Sequence, residues 1–185
     1  MRKITSFIFQ SLNGFYKGAD EDISWHVHSE EGNEYSEKEM QADNILLFGS
    51  VTYELMYNFW PSEPAHEHFP VVAERMNSSE KIVLSNSLKK SEWNNTTIIS
   101  GDTVRKIREL KSTKGKDITI LGSGKVVRSL TDAVLIDEYK IMIDPVALGE
   151  GTSIFSGIKN NTDLKFKSLN TFSKSGVICI TYMRS

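Results

Sequence analysis

The apolar positions of this chain fall into short runs bounded by polar and turn residues. Eight runs have the length and β-branched content of buried strands: Ile4–Phe9, Ile45–Phe48, Lys81–Leu84, Thr97–Ile99, Asp117–Leu121, Glu138–Ile143, Leu164–Phe172 and Val177–Met183. Between several of them the apolar spacing changes to three and four. Thr103–Lys111 sets Val104, Ile107 and Leu110 on one face and turns Arg105, Lys106 and Arg108 outward. Val51–Asn58 and Phe69–Asn77 repeat at similar spacing, and Ser36–Ala42 and Gly124–Leu130 read as shorter helices. Strands alternating with helices predict an α/β fold with a mostly parallel sheet flanked by helices. Only a turn containing Ser173–Gly176 joins the last two strands, which predicts an antiparallel C-terminal hairpin. No repeat or linker interrupts the pattern, so residues 1–185 read as one domain with an eight-stranded sheet.

Composition fits that picture. Hydrophobic residues are 39% and charged residues 25% of the 185, and the mean hydropathy is −0.31, values of a soluble globular domain. A net charge of −2 and a pI near 6.1 argue against a nucleic-acid partner. The apolar start of the chain is broken by Thr5 and Ser6 and ends at Gln10, short of a signal core. No run approaches a membrane span, so no membrane partner and a cytoplasmic location are predicted. Cys179, the single cysteine, lies in the apolar run Val177–Ile180 and reads as a buried strand thiol. Two His-x-His pairs, His26/His28 and His66/His68, lack nearby cysteine, and no metal site is predicted from them.

Candidate chemistry sits where strands run into helices. Ile118–Leu121 passes into Gly122-Ser123-Gly124 and then a helix. Glycines there let the backbone approach a diphosphate, and a helix N-terminus offers free N–H groups and partial positive charge. The segment is neither a Walker loop nor a complete Rossmann fingerprint, because Thr119 and Val127 stand where those patterns need glycine. Ile45–Phe48 running into Gly49-Ser50-Val51-Thr52 repeats the idea, and Ile82–Leu84 ends in Ser85-Asn86-Ser87. In open α/β sheets ligands bind outside the C-terminal ends of strands. The first loop leaves strand one through Asn13-Gly14 and is long enough to close over a ligand. Residues 103–128 hold eight basic side chains against two acidic, whereas 20–40 hold eight acidic against Lys38. That separation predicts a cleft with an anionic ligand at one end.

Several segments, in this order, resemble the dihydrofolate reductase superfamily. They are Ser11-Leu12-Asn13-Gly14-Phe15, Leu47 to Glu54, Phe59-Trp60-Pro61, Lys81 to Ser85, Gly122-Ser123-Gly124, Leu135 to Tyr139, and Asp144 to Gly151. The nearer branch is the bacterial one related to the C-terminal reductase domain of the riboflavin-biosynthesis deaminase/reductase. The resemblance implies an NADPH site, with NADH as the variant. The nicotinamide would lie near Asn13 and Gly14. The diphosphate would lie against Gly49, Ser50, Val51 and Thr52, and against Gly122, Ser123, Gly124, Lys125 and Val126. The adenosine end would meet Ser85, Asn86 and Ser87. Relatives usually carry arginine at the position of Ser50 and often a base at that of Asn86. Counting on from Trp25, the resemblance implies Glu30 as the proton-donating carboxylate, with Trp25 and Glu31 toward the substrate. It further implies hydride transfer to a C=N or ribosyl carbonyl of a pterin- or pyrimidine-like molecule, first of all 5-amino-6-(5-phosphoribosylamino)uracil. The alternatives are dihydrofolate reduction and nucleotide binding without catalysis. A homodimer paired through its sheets is also implied.

Overall fold

Strand β3 (Ile45–Gly49) is buried at four successive positions, Ile45 to Phe48, so it must be covered on both faces. A computed structural model describing residues 1–185 puts it third in an eight-stranded sheet of order β5-β4-β3-β6-β1-β7-β10-β9. The other strands are β1 (Ile4–Ser11), β4 (Lys81–Leu84), β5 (Thr96–Ile99), β6 (Ile118–Leu121), β7 (Glu138–Asp144), β9 (Leu164–Thr171) and β10 (Ile178–Arg184). The first six in that order are parallel, while β10 runs antiparallel to β7 and β9 antiparallel to β10. The C-terminal hairpin is therefore present. Two short strands have no periodicity to betray them, β2 (Phe15–Lys17) and β8 (Thr152–Ser153), and they pair with each other.

The helices are α1 (Glu30–Met40), α2 (Ser50–Phe59), α3 (Glu63–His68), α4 (Pro70–Ser78), α5 (Thr103–Ser112) and α6 (Gly124–Asp132). The first begins well before Ser36, because Ser29 caps it by accepting from the Gly32 N–H at 3.1 Å. The stretch of three prolines contains a helix of its own, α3, capped by Ser62, and Pro70 at the start of α4 divides the two. None of these helices is long and apolar enough to cross a membrane.

The pleat decides which residues meet. On one face Ile4, Ile8, Leu47, Ile118 and Ile120 form a continuous core with Ile107 of α5 and Val127 and Leu130 of α6. The opposite face is divided. Leu46, Phe48, Val72, Met76 and Trp93 cluster with α2 and α4 at one side. Met142, Phe172, Val177 and Cys179 cluster with Tyr35 of α1 at the other, against Phe7 and Phe9. The two helical blocks meet at their lower end, where Arg75 Nε donates to the Met40 carbonyl at 2.9 Å. Between the two blocks Phe7 and Phe9 of β1 and Leu121 of β6 are only half-buried, and the gap over them is the candidate cleft of this face.

Candidate active site

Because six strands run parallel, β4, β3, β6, β1 and β7 all end on one edge of the sheet. Four strand intervals separate β4 from β7, a span of about 19 Å at roughly 4.8 Å each. Two helices open in the middle of that edge, and both lack side-chain caps: α2 after Gly49 and α6 after Ser123. By contrast α1, α3 and α5 are capped by Ser29, Ser62 and Asp102. The first N–H groups of an uncapped helix have no partner in the chain. Ser123 Oγ joins the two openings by accepting from the Gly49 N–H at 2.8 Å. Gly122 and Ser123 are both left-handed, each with φ of 57°. The strain at Ser123 costs about 1–2 kcal/mol and turns successive N–H groups toward one concavity. The arrangement fits a diphosphate: two positive helix ends on neighbouring strands, with Thr52 the nearest side chain to Gly122.

The individual positions divide. Ser50 and Thr52 are half-buried in the first turn of α2, and Val51 is exposed, so it offers only its N–H. Lys125 stands exposed on the first turn of α6. Val126 contributes nothing to the cradle, because its N–H donates to the Ser123 carbonyl at 2.8 Å and its side chain is in the core. Gly124 is tight for a reason absent from the sequence argument: a Cβ there would overlap the ring of Tyr16 from β2. At the β4 end Ser85 Oγ accepts from the Leu88 N–H at 3.0 Å and touches the Ser87 hydroxyl at 3.2 Å. Asn86 Oδ1 accepts from the Gly101 N–H at 2.7 Å and so ties the ends of β4 and β5 together. Lys89 and Lys106 bond to the carbonyls of Asn86 and Ser100 beside it.

At the other end of the edge lies a pair that the sequence reading did not join. Asp144, the last residue of β7, is wholly buried. Both of its oxygens lie 3.0 Å from His26 Nδ1, and Oδ1 also accepts from the Val27 N–H at 2.7 Å. The His26 ring lies against Phe9, with centroids 3.8 Å apart and the planes tilted by 37°. His28 stands edge-on to His26 at 4.9 Å and faces Phe69 across the cleft at 6.4 Å. Burial first, and the neighbouring His26 second, hold His28 below the ordinary imidazole range against the opposing pull of Asp144. The sequence signal was present in two pieces, the first His-x-His pair and the Asp144-Pro145 segment, 118 residues apart. Asn13 serves the same region as a brace: its side chain exchanges hydrogen bonds with both the N–H and the carbonyl of Leu148, at 3.1 and 2.8 Å. Gly14 closes the turn onto the Ser11 carbonyl.

Glu30, Glu31 and Trp25 are placed differently from what the resemblance implied. Glu30 is exposed and pairs with Lys174 at 3.3 Å, and Glu31 accepts from the Lys174 N–H at 3.0 Å and the Ser173 hydroxyl at 3.3 Å. Both carboxylates hold the turn of the C-terminal hairpin, beyond β7 and outside the cleft. The indole N–H of Trp25 donates within its own loop, to the Asp22 carbonyl at 3.1 Å.

A sequence profile for the RibD C-terminal domain matches residues 2–178. The chain belongs to that family. YyaP, an uncharacterized protein of Bacillus subtilis, is 28% identical over 182 residues, covering 98% of this chain and 94% of YyaP. The fold matches the diaminohydroxyphosphoribosylaminopyrimidine deaminase/5-amino-6-(5-phosphoribosylamino)uracil reductase of Thermotoga maritima, with a TM-score of 0.69 at 15% identity, over 100% of this chain and 57% of that one. It also matches dihydrofolate reductase from Enterococcus faecalis, with a TM-score of 0.64 at 16% identity, over 99% and 96% of the two chains. The RibD C-terminal domain fold is thus the dihydrofolate-reductase-like one, a mostly parallel sheet ending in antiparallel strands. Membership in that family supports an oxidoreductase.

Proposed function

We propose that the chain is a cytoplasmic NAD(P)H-dependent reductase of a pterin- or pyrimidine-like substrate, with 5-amino-6-(5-phosphoribosylamino)uracil the first candidate. The observation that carries this reading is the pair of uncapped helix N-termini on adjacent strands, tied by Ser123 Oγ, at the head of a cleft. In this reading the N–H groups of Ser50, Val51, Thr52, Gly124 and Lys125 hold the diphosphate. Ser85, Asn86 and Ser87 shape the adenosine end, where Lys89 and Lys106 supply charge. The nicotinamide enters the cleft beside the Asn13-Gly14 turn and over Phe7 and Phe9. When bound, the cofactor supplies a hydride. The protein orients both reactants and keeps water from the floor of the cleft. A homodimer is part of the proposal, and the exposed Phe166 and Leu169, on one face of the β9–β10 hairpin, offer apolar area for it.

A second reading, nucleotide binding without catalysis, is favoured by the position of Glu30 outside the cleft. Fluorescence titration with NADPH and NADH, followed by NADPH oxidation with the aminouracil or with dihydrofolate, separates the two. Binding with turnover supports the reductase and binding alone the second reading. Absence of binding at millimolar cofactor removes both.

A further inference from the structure

We propose that His26, oriented by Asp144, is the proton donor of the reduction. The proposal rests on the reductase reading and names the residue that completes its chemistry.

Three observations place it there. First, the Asp144 carboxylate has no exposure and is held by the His26 imidazole and the Val27 N–H. A buried carboxylate is an acceptor, so Nδ1 of His26 carries the hydrogen. Second, Nε2 then has no partner in the protein, and since no buried side-chain nitrogen or oxygen is left unpaired, Nε2 faces open space. Third, the ring lies on Phe9, on the cleft floor, where β1 ends. The pair therefore presents one free imidazole nitrogen at the nicotinamide end of the site, with its other nitrogen fixed. The titratable groups facing His26 are Asp144 from β7 and His28 from its own loop. Phe9 of β1 brings none, and Glu30 and Glu31 of α1 are engaged with the hairpin turn.

The substrate carbon of the C=N or C=O bond gains a hydride from a dihydronicotinamide, and the π pair moves to nitrogen or oxygen. That atom takes the proton from His26 Nε2, and the neutral imidazole is recharged from water. Asp144 is a positioning residue: it fixes the tautomer and stabilises the imidazolium.

The test uses His26→Gln and Asp144→Asn in the full chain, with NADPH and 5-amino-6-(5-phosphoribosylamino)uracil as probes and dihydrofolate as a second acceptor. His26→Gln should lower the single-turnover rate by about 10²–10⁴-fold, the range of general acid catalysis, with NADPH affinity within twofold of wild type. The alkaline limb of the wild-type rate profile should vanish in that variant, and Asp144→Asn should give a smaller loss. A readout without cofactor accompanies these: side-chain ¹⁵N NMR of wild type should show Nδ1–H on His26 and an Nε2 signal that moves when the aminouracil is added. A His26→Gln rate and profile like wild type, or a His26 signal indifferent to a substrate that is turned over, overturns the proposal alone. Wild-type protein that turns over neither acceptor overturns the reductase reading, and the proposal with it. If His26→Gln fails to fold, the wild-type profile and the NMR signal still decide the matter.

Discussion

The two edges of the sheet are built from the same kinds of charged residue and use them in opposite ways. At the edge where the parallel strands begin, charges are paired. Glu138 is 2% exposed and accepts from Lys3 and Lys167 at 2.6 and 2.5 Å. Lys111 pairs with Asp137, and Lys116 bridges Asp43 and Glu80 at 3.0 and 2.9 Å. Lys81, buried, donates to the carbonyls of Asn77, Ser79 and Asn94 and lies over the Trp93 ring. Burial pushes its pKa down to about 8. At the edge where those strands end, two helices start uncapped, Lys125 is exposed, and the His26–Asp144 pair leaves one ring nitrogen free. One edge satisfies its charges within the fold, and the other leaves donors for a ligand. A variant's consequences should depend on which edge it touches.

The largest separation is expected from Gly122→Val. A β-branched residue at φ of 57° faces Thr52 and closes the concavity between the two helix ends. NADPH affinity should fall by about a hundredfold or more, roughly 2.7 kcal/mol, in isothermal titration, while Lys116→Ala at the opposite edge leaves it unchanged. Equal losses from both would erase the distinction between the edges.

Glu138→Gln tests the other edge. Burial raises the pKa of this carboxyl, but the Lys167 and Lys3 ammonium groups outweigh burial and hold it below the ordinary carboxylate range. A depressed folded pKa gives stability that is present above the unfolded value, near 4.3, and is lost as pH falls through the folded one. The variant should therefore be less stable at neutral pH by about 1.5–3 kcal/mol. That is a melting temperature lower by roughly 5–10 °C for a chain of this size. The gap from wild type should narrow below pH 4, with cofactor affinity unaltered. A gap that stays constant down to pH 2 would show that the ion pairs contribute nothing.

Gly124→Ala probes the edge where the parallel strands end. The added methyl meets the Tyr16 ring, so the cost is overpacking of about 1–3 kcal/mol. Tyr16→Ala in the same chain should restore most of the lost thermal stability. If it does not, the strain lies in the helix itself.

The smallest effect concerns cofactor choice. With Ser50 and Asn86 in place of basic residues, NADPH should be favoured over NADH by less than about a hundredfold. Ser50→Arg should raise NADPH affinity roughly tenfold, one charge-assisted hydrogen bond, and leave NADH nearly unchanged. Lys81, near Ser85 in sequence, cannot reach a 2′-phosphate there because it sits at the opposite end of β4. Lys89 and Lys106 are the bases at the correct end. A strong native preference for NADPH, indifferent to Ser50→Arg but lost in Lys106→Ala, would transfer the role to Lys106.

From its own pattern the sequence determined the eight strands of the main sheet, most of the helices, the parallel class and the terminal hairpin. Strand and helix periods are local properties, written by each segment about itself. The same holds for the Gly49 and Gly122–Gly124 junctions, whose residues are contiguous. The tertiary structure decided the rest, because it depends on which segments become neighbours. The basic run 103–128 was a single feature in the chain, but the fold divides it: Lys111 and Lys116 go to the paired edge and Lys125 to the open one. Counting from Trp25 led to Glu30, yet the cap at Ser29 starts α1 there and turns that carboxylate to the hairpin. His26 and Asp144 acquire meaning only because β7 lies beside β1 in the sheet, so that a residue ending one strand can hold an imbidazole lying over the other.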